Sequence, residues 1–290
     1  MTNNQITNSD VASKLYSGMN LKELATIERK TTLNTGITSI DANFGFPSGY
    51  YIIVGNPGVG KSWFALWLSR MFYRHNAKMS VYFSLEMPET LVRQRILQQW
   101  SDFTKSELEG GSLPSQAIEM LGKDIIVVDE FYSDDTTKQT PGTFEAWIDT
   151  YYQLGYRVFH LDHFHELQGA SVNDRNQDVV ERWGLLFQQI CKKYDDIWLF
   201  IFVQPNSSPV KLLKRNSVMG SKALTYKCDY FLSLNKKVSN DEIDGIEMEE
   251  VDRTVILYVD KTRYTEKSHI GFAIHFMETG NYVGTQRGEK

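Results

Sequence analysis

Tyr51-Ile52-Ile53-Val54-Gly55-Asn56-Pro57-Gly58-Val59-Gly60-Lys61-Ser62 decides how the rest of the chain is read. The apolar run Tyr51 to Val54 predicts a buried strand, and the stretch from Trp63 to His75 predicts a helix. Between them lies G-x-x-x-x-G-K-S, a glycine-rich turn whose backbone N–H groups can close around a polyphosphate at a helix N-terminus. In this pattern Gly55, Asn56, Pro57, Gly58, Val59 and Gly60 form the cradle. Lys61 reaches the β and γ phosphates, and the Ser62 hydroxyl ligates Mg²⁺. ATP with Mg²⁺ is the expected occupant.

The chain has 290 residues, 41% of them hydrophobic, enough for one large α/β domain with a real core. No run approaches the roughly 18 apolar residues of a membrane span. The polar start, Met1 to Asp10, has no apolar signal core, so a cytoplasmic location is expected. Cys191 and Cys228 fall inside apolar stretches and read as reduced core residues. A net charge of −5 supplies no global basic field, so any nucleic-acid contact must come from local loops.

Residues 1–30 carry a broken amphipathic pattern through Val11, Leu15, Met19, Leu21, Leu24 and Ile27. They read as an extension, a tail or a linker helix that docks on a neighbouring subunit. From residue 31 to 290 the text is that of an α/β domain. Strands are expected at Tyr51–Val54, Met79–Leu85, Asp124–Val128, Arg157–Leu161 and Ile197–Val203. Helices are expected between them at Ser62–His75, Pro88–Ser101, Thr143–Leu154 and Gln177–Tyr194. That alternation predicts a mostly parallel sheet covered on both faces. Tyr230–Leu234, Thr254–Val259 and Gly271–Met277 follow without long helices and are expected to extend the sheet as an antiparallel edge. The acidic stretch Lys237 to Asp252 reads as a solvated loop.

Hydrolysis needs a carboxylate to hold Mg²⁺ and a base for water. Glu86, Asp129-Glu130 and Asp162 each end a strand, where ligands of parallel sheets gather. Two assignments compete: Asp162 on the metal with Glu86 as base, or Asp129 on the metal with Glu130 as base. The text around Glu86, Ser84-Leu85-Glu86-Met87-Pro88, favours the first, because it sets a lone carboxylate between a buried strand and a helix-starting proline.

The order of motifs resembles the ATPase domain of DnaB-type replicative helicases, a RecA-like fold. Thr35-Gly36-Ile37-Thr38-Ser39-Ile40-Asp41 resembles the approach to the phosphate loop, and Phe83-Ser84-Leu85-Glu86-Met87 the motif whose glutamate activates water. Val158-Phe159-His160-Leu161-Asp162-His163-Phe164 is similar to the Walker B strand, and Phe200-Ile201-Phe202-Val203-Gln204 to the strand whose glutamine senses the γ phosphate. Val259-Asp260-Lys261-Thr262-Arg263 resembles the Lys-x-Arg segment. The resemblance implies a ring, hexameric in the family's pattern, with ATP between subunits and Lys261 and Arg263 reaching across as charge-neutralising fingers. It also implies 5′→3′ movement on single-stranded DNA, with a primase or loader as partner. The cellular relatives carry an N-terminal helical domain, for which about thirty residues are too few; a phage or mobile-element form is the expectation.

In RecA-like rings the loops after Asp162 and Gln204 line the channel. The second, Pro205 to Lys222, is the basic one, with Lys211, Lys214, Arg215, Gly220, Ser221 and Lys222 as candidate contacts to the DNA backbone. Where the family has an Arg-Glu pair before its Ser-Gly turn, this chain has Met219-Gly220-Ser221-Lys222. His160, His163 and His165 lack the further ligands a metal centre needs. Two other functions share this core: a RecA/RadA-like recombination or annealing protein, and an ATP-dependent helicase loader.

Overall fold

The computed structural model describes residues 30–110, 124–129, 140–167, 177–205, 212–218, 222–236, 253–264 and 268–285. The chain divides into two units, Met1–Thr31 and Thr32–Lys290, and every element below belongs to the second. In order these are β1 (Thr32–Leu33), α1 (Thr38–Asn43), β2 (Phe46–Pro47), β3 (Gly49–Gly55), α2 (Lys61–Asn76), β4 (Ser80–Ser84), α3 (Glu89–Ser101) and α4 (Lys105–Glu109). There follow β5 (Ile125–Val128), α5 (Pro141–Gln153), β6 (Val158–Asp162), α6 (Gln177–Lys193), β7 (Trp198–Val203) and α7 (Lys222–Lys227). The chain closes with β8 (Tyr230–Lys236), β9 (Thr254–Thr262), β10 (Ile270–Phe276) and β11 (Tyr282–Gly284).

Nine strands form one sheet in the order β11-β10-β9-β8-β3-β7-β6-β4-β5. From β8 to β5 all neighbours run parallel, and β9, β10 and β11 are antiparallel. The alternation of side chains along β3 divides the core in two. Tyr51 and Ile53 join Phe46, Phe72, Phe200 and Tyr230 beneath α1, α2 and α3. Tyr50, Ile52 and Val54 join Phe144, Trp183 and Phe187 beneath α5 and α6. Because both faces are covered, β3 and β7 are buried along their whole length, which is why their sequences are continuously apolar.

The mostly parallel sheet flanked by helices, with an antiparallel C-terminal edge, forms as the sequence predicts, with two corrections. Tyr230–Leu234 is not part of the antiparallel edge: β8 runs parallel to β3, with Tyr51 opposite Tyr230. The six-residue α7 carries the chain back across one face so that β8 can start in the parallel sense. The edge also has a further strand, β11, whose Tyr282 packs edge-on against Phe64 and Trp67 of α2. Cys228 is buried and Cys191 partly so, and neither forms a disulfide. The acidic stretch 237–252 lies outside the described residues.

Candidate nucleotide-binding site

The glycine-rich loop leaves β3 at its carboxyl end and enters α2 at Lys61. Gly58 and Gly60 sit at φ 73° and 98°, where a side chain is strained. At Gly60 space is limiting as well, since a Cβ would lie 2.6 Å from the Tyr282 hydroxyl. That hydroxyl donates to the Gly60 carbonyl at 3.1 Å, so the C-terminal edge braces the loop. Lys61 folds back over the loop, and its Nζ donates to the carbonyls of Gly55 at 2.9 Å and Asn56 at 3.4 Å. Burial pulls the Lys61 ammonium below its ordinary value, while the Asp162 and Glu86 carboxylates pull the other way.

Asp162, at the end of β6, is 1% exposed. Its Oδ2 accepts from the Tyr82 hydroxyl, and its Oδ1 is buried without a hydrogen-bond partner. A buried carboxylate oxygen left open in this way suits a divalent cation, and oxygen ligands from Ser62 and Asp162 are the donor set Mg²⁺ prefers. Glu86 follows β4 with its side chain 52% exposed, and its Oε2 lies 3.1 Å from His163 Nδ1, off the line of a good hydrogen bond. His163 Nε2 meets the Gln204 amide at 3.0 Å. His163 therefore stands between the Glu86 carboxylate and the Gln204 amide. The next histidine is tied in too: the Gln204 backbone N–H points at His165 Nδ1 at 3.4 Å. Burial lowers the His165 imidazole to about 4, with His163 and Lys61 adding to the effect.

A cleft of about 990 Å³ opens over this arrangement, lined by Pro57–Trp63, Glu86 and Gln204 among others. Its size lies at the upper end of small-molecule sites. Arg95 and Arg253 also line it, and neither announced itself in the sequence, since neither falls in one of the motifs. Ligand atoms of Glu86, Asp162 and His163 lie within 4.8 Å of one another, the one such cluster among the described residues. His160 stands apart from it: the ring stacks on Phe200 and its Nε2 meets the Ser69 hydroxyl at 2.9 Å.

The competing carboxylate pair lies elsewhere. Asp129 ends β5, the outermost parallel strand, four strand spacings or about 19 Å from β3. Glu130 lies outside the described residues.

Lys261 and Arg263 do not join the cleft of their own chain. Thr262 pairs with Tyr230, which is level with Tyr51, so this end of β9 lies about 13 Å back along the sheet from Gly55. Lys261 Nζ donates to the carbonyls of Cys228 at 2.7 Å, Tyr226 at 3.0 Å and Thr225 at 3.2 Å. Arg263 pairs with Asp229 at 3.1 Å. Of the basic loop, Arg215 pairs with the buried Asp260 at 2.9 Å, and Lys214 is exposed at the head of a 3-10 turn. Lys211, Gly220 and Ser221 lie outside the described residues, as does the side chain of Lys222 at the start of α7.

Similar architecture recurs in solved structures. The ATPase domain of a phage helicase superposes with a TM-score of 0.72 over 98% of this chain and 100% of its own, at 16% identity. A DnaB-like replicative helicase, in a structure that addresses its interactions with primase, gives 0.72 over 98% of this chain and 68% of its own, also at 16%. The RadB recombinase gives 0.58 over 88% of this chain and 100% of its own, again at 16%. At this identity these likenesses speak for the fold alone. No curated protein sequence matches significantly. The profile of the DnaB-like helicase C-terminal domain matches residues 32–191, more than half of the sequence and the part that holds the loop, Glu86 and Asp162. The chain therefore belongs to the DnaB-like helicase C-terminal domain family, and it is a P-loop ATPase domain.

Proposed function

We propose that this chain is the motor of a ring-forming, replicative-type DNA helicase that uses ATP to move 5′→3′ on single-stranded DNA and unwind duplex. The observation that carries the proposal is the division of the machinery. The loop residues, Glu86 and Gln204 line one cleft, while the β9 end that carries Lys261 and Arg263 lies about 13 Å back along the sheet. Such a site is incomplete in one chain and is completed when a neighbour lends its Lys-x-Arg edge.

In this mechanism the N–H groups of Gly55–Ser62 and the start of α2 hold the phosphates of ATP, and Lys61 leaves its loop carbonyls to meet them. Ser62 and Asp162 would hold Mg²⁺, which would supply charge neutralisation for the phosphates. Glu86 takes a proton from the attacking water, and Gln204 contacts the γ phosphate. His163 lies beside both, hydrogen-bonded to Gln204 and 3.1 Å from Glu86. From the next subunit Arg263 and Lys261 neutralise charge in the transition state.

The loops that follow Asp162 and Gln204 contact single-stranded DNA, with Lys211, Lys214, Arg215, Gly220, Ser221 and Lys222 on the second. Six subunits, a host cytoplasm, a phage or mobile-element origin and a primase or loader partner complete the proposal by family likeness. Residues 1–30 act as the linker that docks on the neighbour, so a chain starting at residue 31 should assemble less tightly.

The shared site is tested by mixing Arg263→Ala protein, which lacks the finger, with Glu86→Gln protein, which lacks the base. Each is inactive alone. Mixed rings contain interfaces with an intact base on one side and an intact finger on the other, so turnover should return. No recovery at any ratio would overturn the division of the site between subunits.

A further inference from the structure

Tyr82 occupies the middle of β4 between Val81 and Phe83, and by pattern it is one more core residue of a buried strand. Its ring is fully buried and joins the aromatic cluster beneath α2. A phenylalanine would fill that volume equally well, so the hydroxyl needs its own account.

A buried phenol requires a polar partner, and here the partner belongs to the nucleotide site. The Tyr82 hydroxyl donates to Asp162 Oδ2. The bond ties the middle of β4 to the end of β6, its parallel neighbour in the sheet. Asp162 keeps an oxygen for another ligand, since its Oδ1 is buried without a hydrogen-bond partner.

We propose that Tyr82 is a positioning residue for the divalent cation: its hydroxyl holds Asp162 by Oδ2, so that the open Oδ1 is turned to the cation it would share with Ser62. The inference rests on the assignment of Mg²⁺ to Ser62 and Asp162. Groups that hold metal ligands in orientation are worth about 10–100-fold in metal affinity. Tyr82 does not touch the phosphates, so nucleotide held by the loop alone should not sense it.

The test is Tyr82→Phe in the full chain. Binding of a fluorescent, non-hydrolysable ATP analogue is followed as Mg²⁺ is titrated, and separately in EDTA. The half-saturating Mg²⁺ concentration should rise about 10–100-fold, while affinity in EDTA stays within about 2-fold, the limit set by an unaltered loop. Mn²⁺ binding to the nucleotide complex, read by electron paramagnetic resonance, should weaken in parallel. An unchanged Mg²⁺ requirement in folded Tyr82→Phe protein would overturn the proposal. Equal losses with and without Mg²⁺ would also overturn it, because the hydroxyl would then act on the loop. If the phenyl variant is unstable, Tyr82→Met, which fills the space with an adaptable apolar chain, carries the same readouts. Asp162→Asn separates the two layers of the argument. If it leaves the Mg²⁺ requirement unchanged, the metal assignment falls and Tyr82 falls with it. If it shifts the requirement and Tyr82→Phe does not, the role of Tyr82 alone is refuted.

Discussion

Replacing Glu86 with glutamine is the sharpest perturbation of the chemistry. The change keeps shape and removes only the capacity to take a proton. Glu86 is half exposed at the cleft rim, with His163 at 3.1 Å. Loss of that contact at an exposed position should cost less than about 1 kcal/mol of stability. Lys61 and Asp162 are held by their own partners, so ATP affinity should change little. Turnover should fall about 10²–10⁴-fold, the usual worth of a positioned base, which is about 3–5 kcal/mol in the barrier. Steady-state phosphate release under single-stranded DNA stimulation measures the loss, and equilibrium titration of a nucleotide analogue checks the binding. Asp129→Asn is the control, on the neighbouring edge strand β5, about 19 Å from the strand that carries the phosphate loop. Wild-type turnover in Glu86→Gln, with turnover lost in Asp129→Asn, would refute the assignment and move the chemistry to the β5 edge.

Arg263→Ala should cut turnover at least about 10³-fold with nucleotide affinity intact. The fold should survive, because Asp229 keeps its bond from the Tyr50 N–H at 3.0 Å; retained turnover in assembled protein would contradict the finger role. Lys214→Ala should lower the salt dependence of single-stranded DNA binding by about 0.7 in the log–log slope. Arg215→Ala should do less, because Arg215 is already paired with Asp260; equal slopes in wild type and Lys214→Ala would remove Lys214 from the interface. His165 sits at about 4 in the fold against an ordinary 6.5. Between those values the unfolded chain binds more protons, so stability rises with pH there. Its contribution is complete above about pH 6.5 and is lost toward pH 4, at no more than about 1.4 kcal/mol per pH unit. His165→Gln should flatten that part of a pH series of denaturant midpoints; an unchanged slope would show the imidazole to be solvated.

The parallel half of the fold was legible because burial on both faces writes itself as runs such as Tyr51 to Val54 and Ile197 to Val203. The direction of β8 was not legible. It depends on α7, which at six residues is too short to show a helical period. The three-residue β11 is shorter still, yet it sets Tyr282 against Gly60. Within the site, the loop, Glu86, Asp162 and Gln204 could be read from strand ends and motifs. Tyr82 could not, since a tyrosine in a buried strand reads as packing until its hydroxyl is traced to Asp162. The backbone cage around Lys261 was equally hidden, because carbonyls carry no sequence signal.

The central claim is that ATP use in this cleft drives movement along one strand of DNA. Strand separation on a forked duplex, with only a 5′ arm or only a 3′ arm free, tests it most directly. The account predicts ATP-dependent unwinding that requires the 5′ arm and is abolished by Glu86→Gln. ATP turnover stimulated by single-stranded DNA with no unwinding of either fork would contradict it, and would point instead to an annealing protein or a loader.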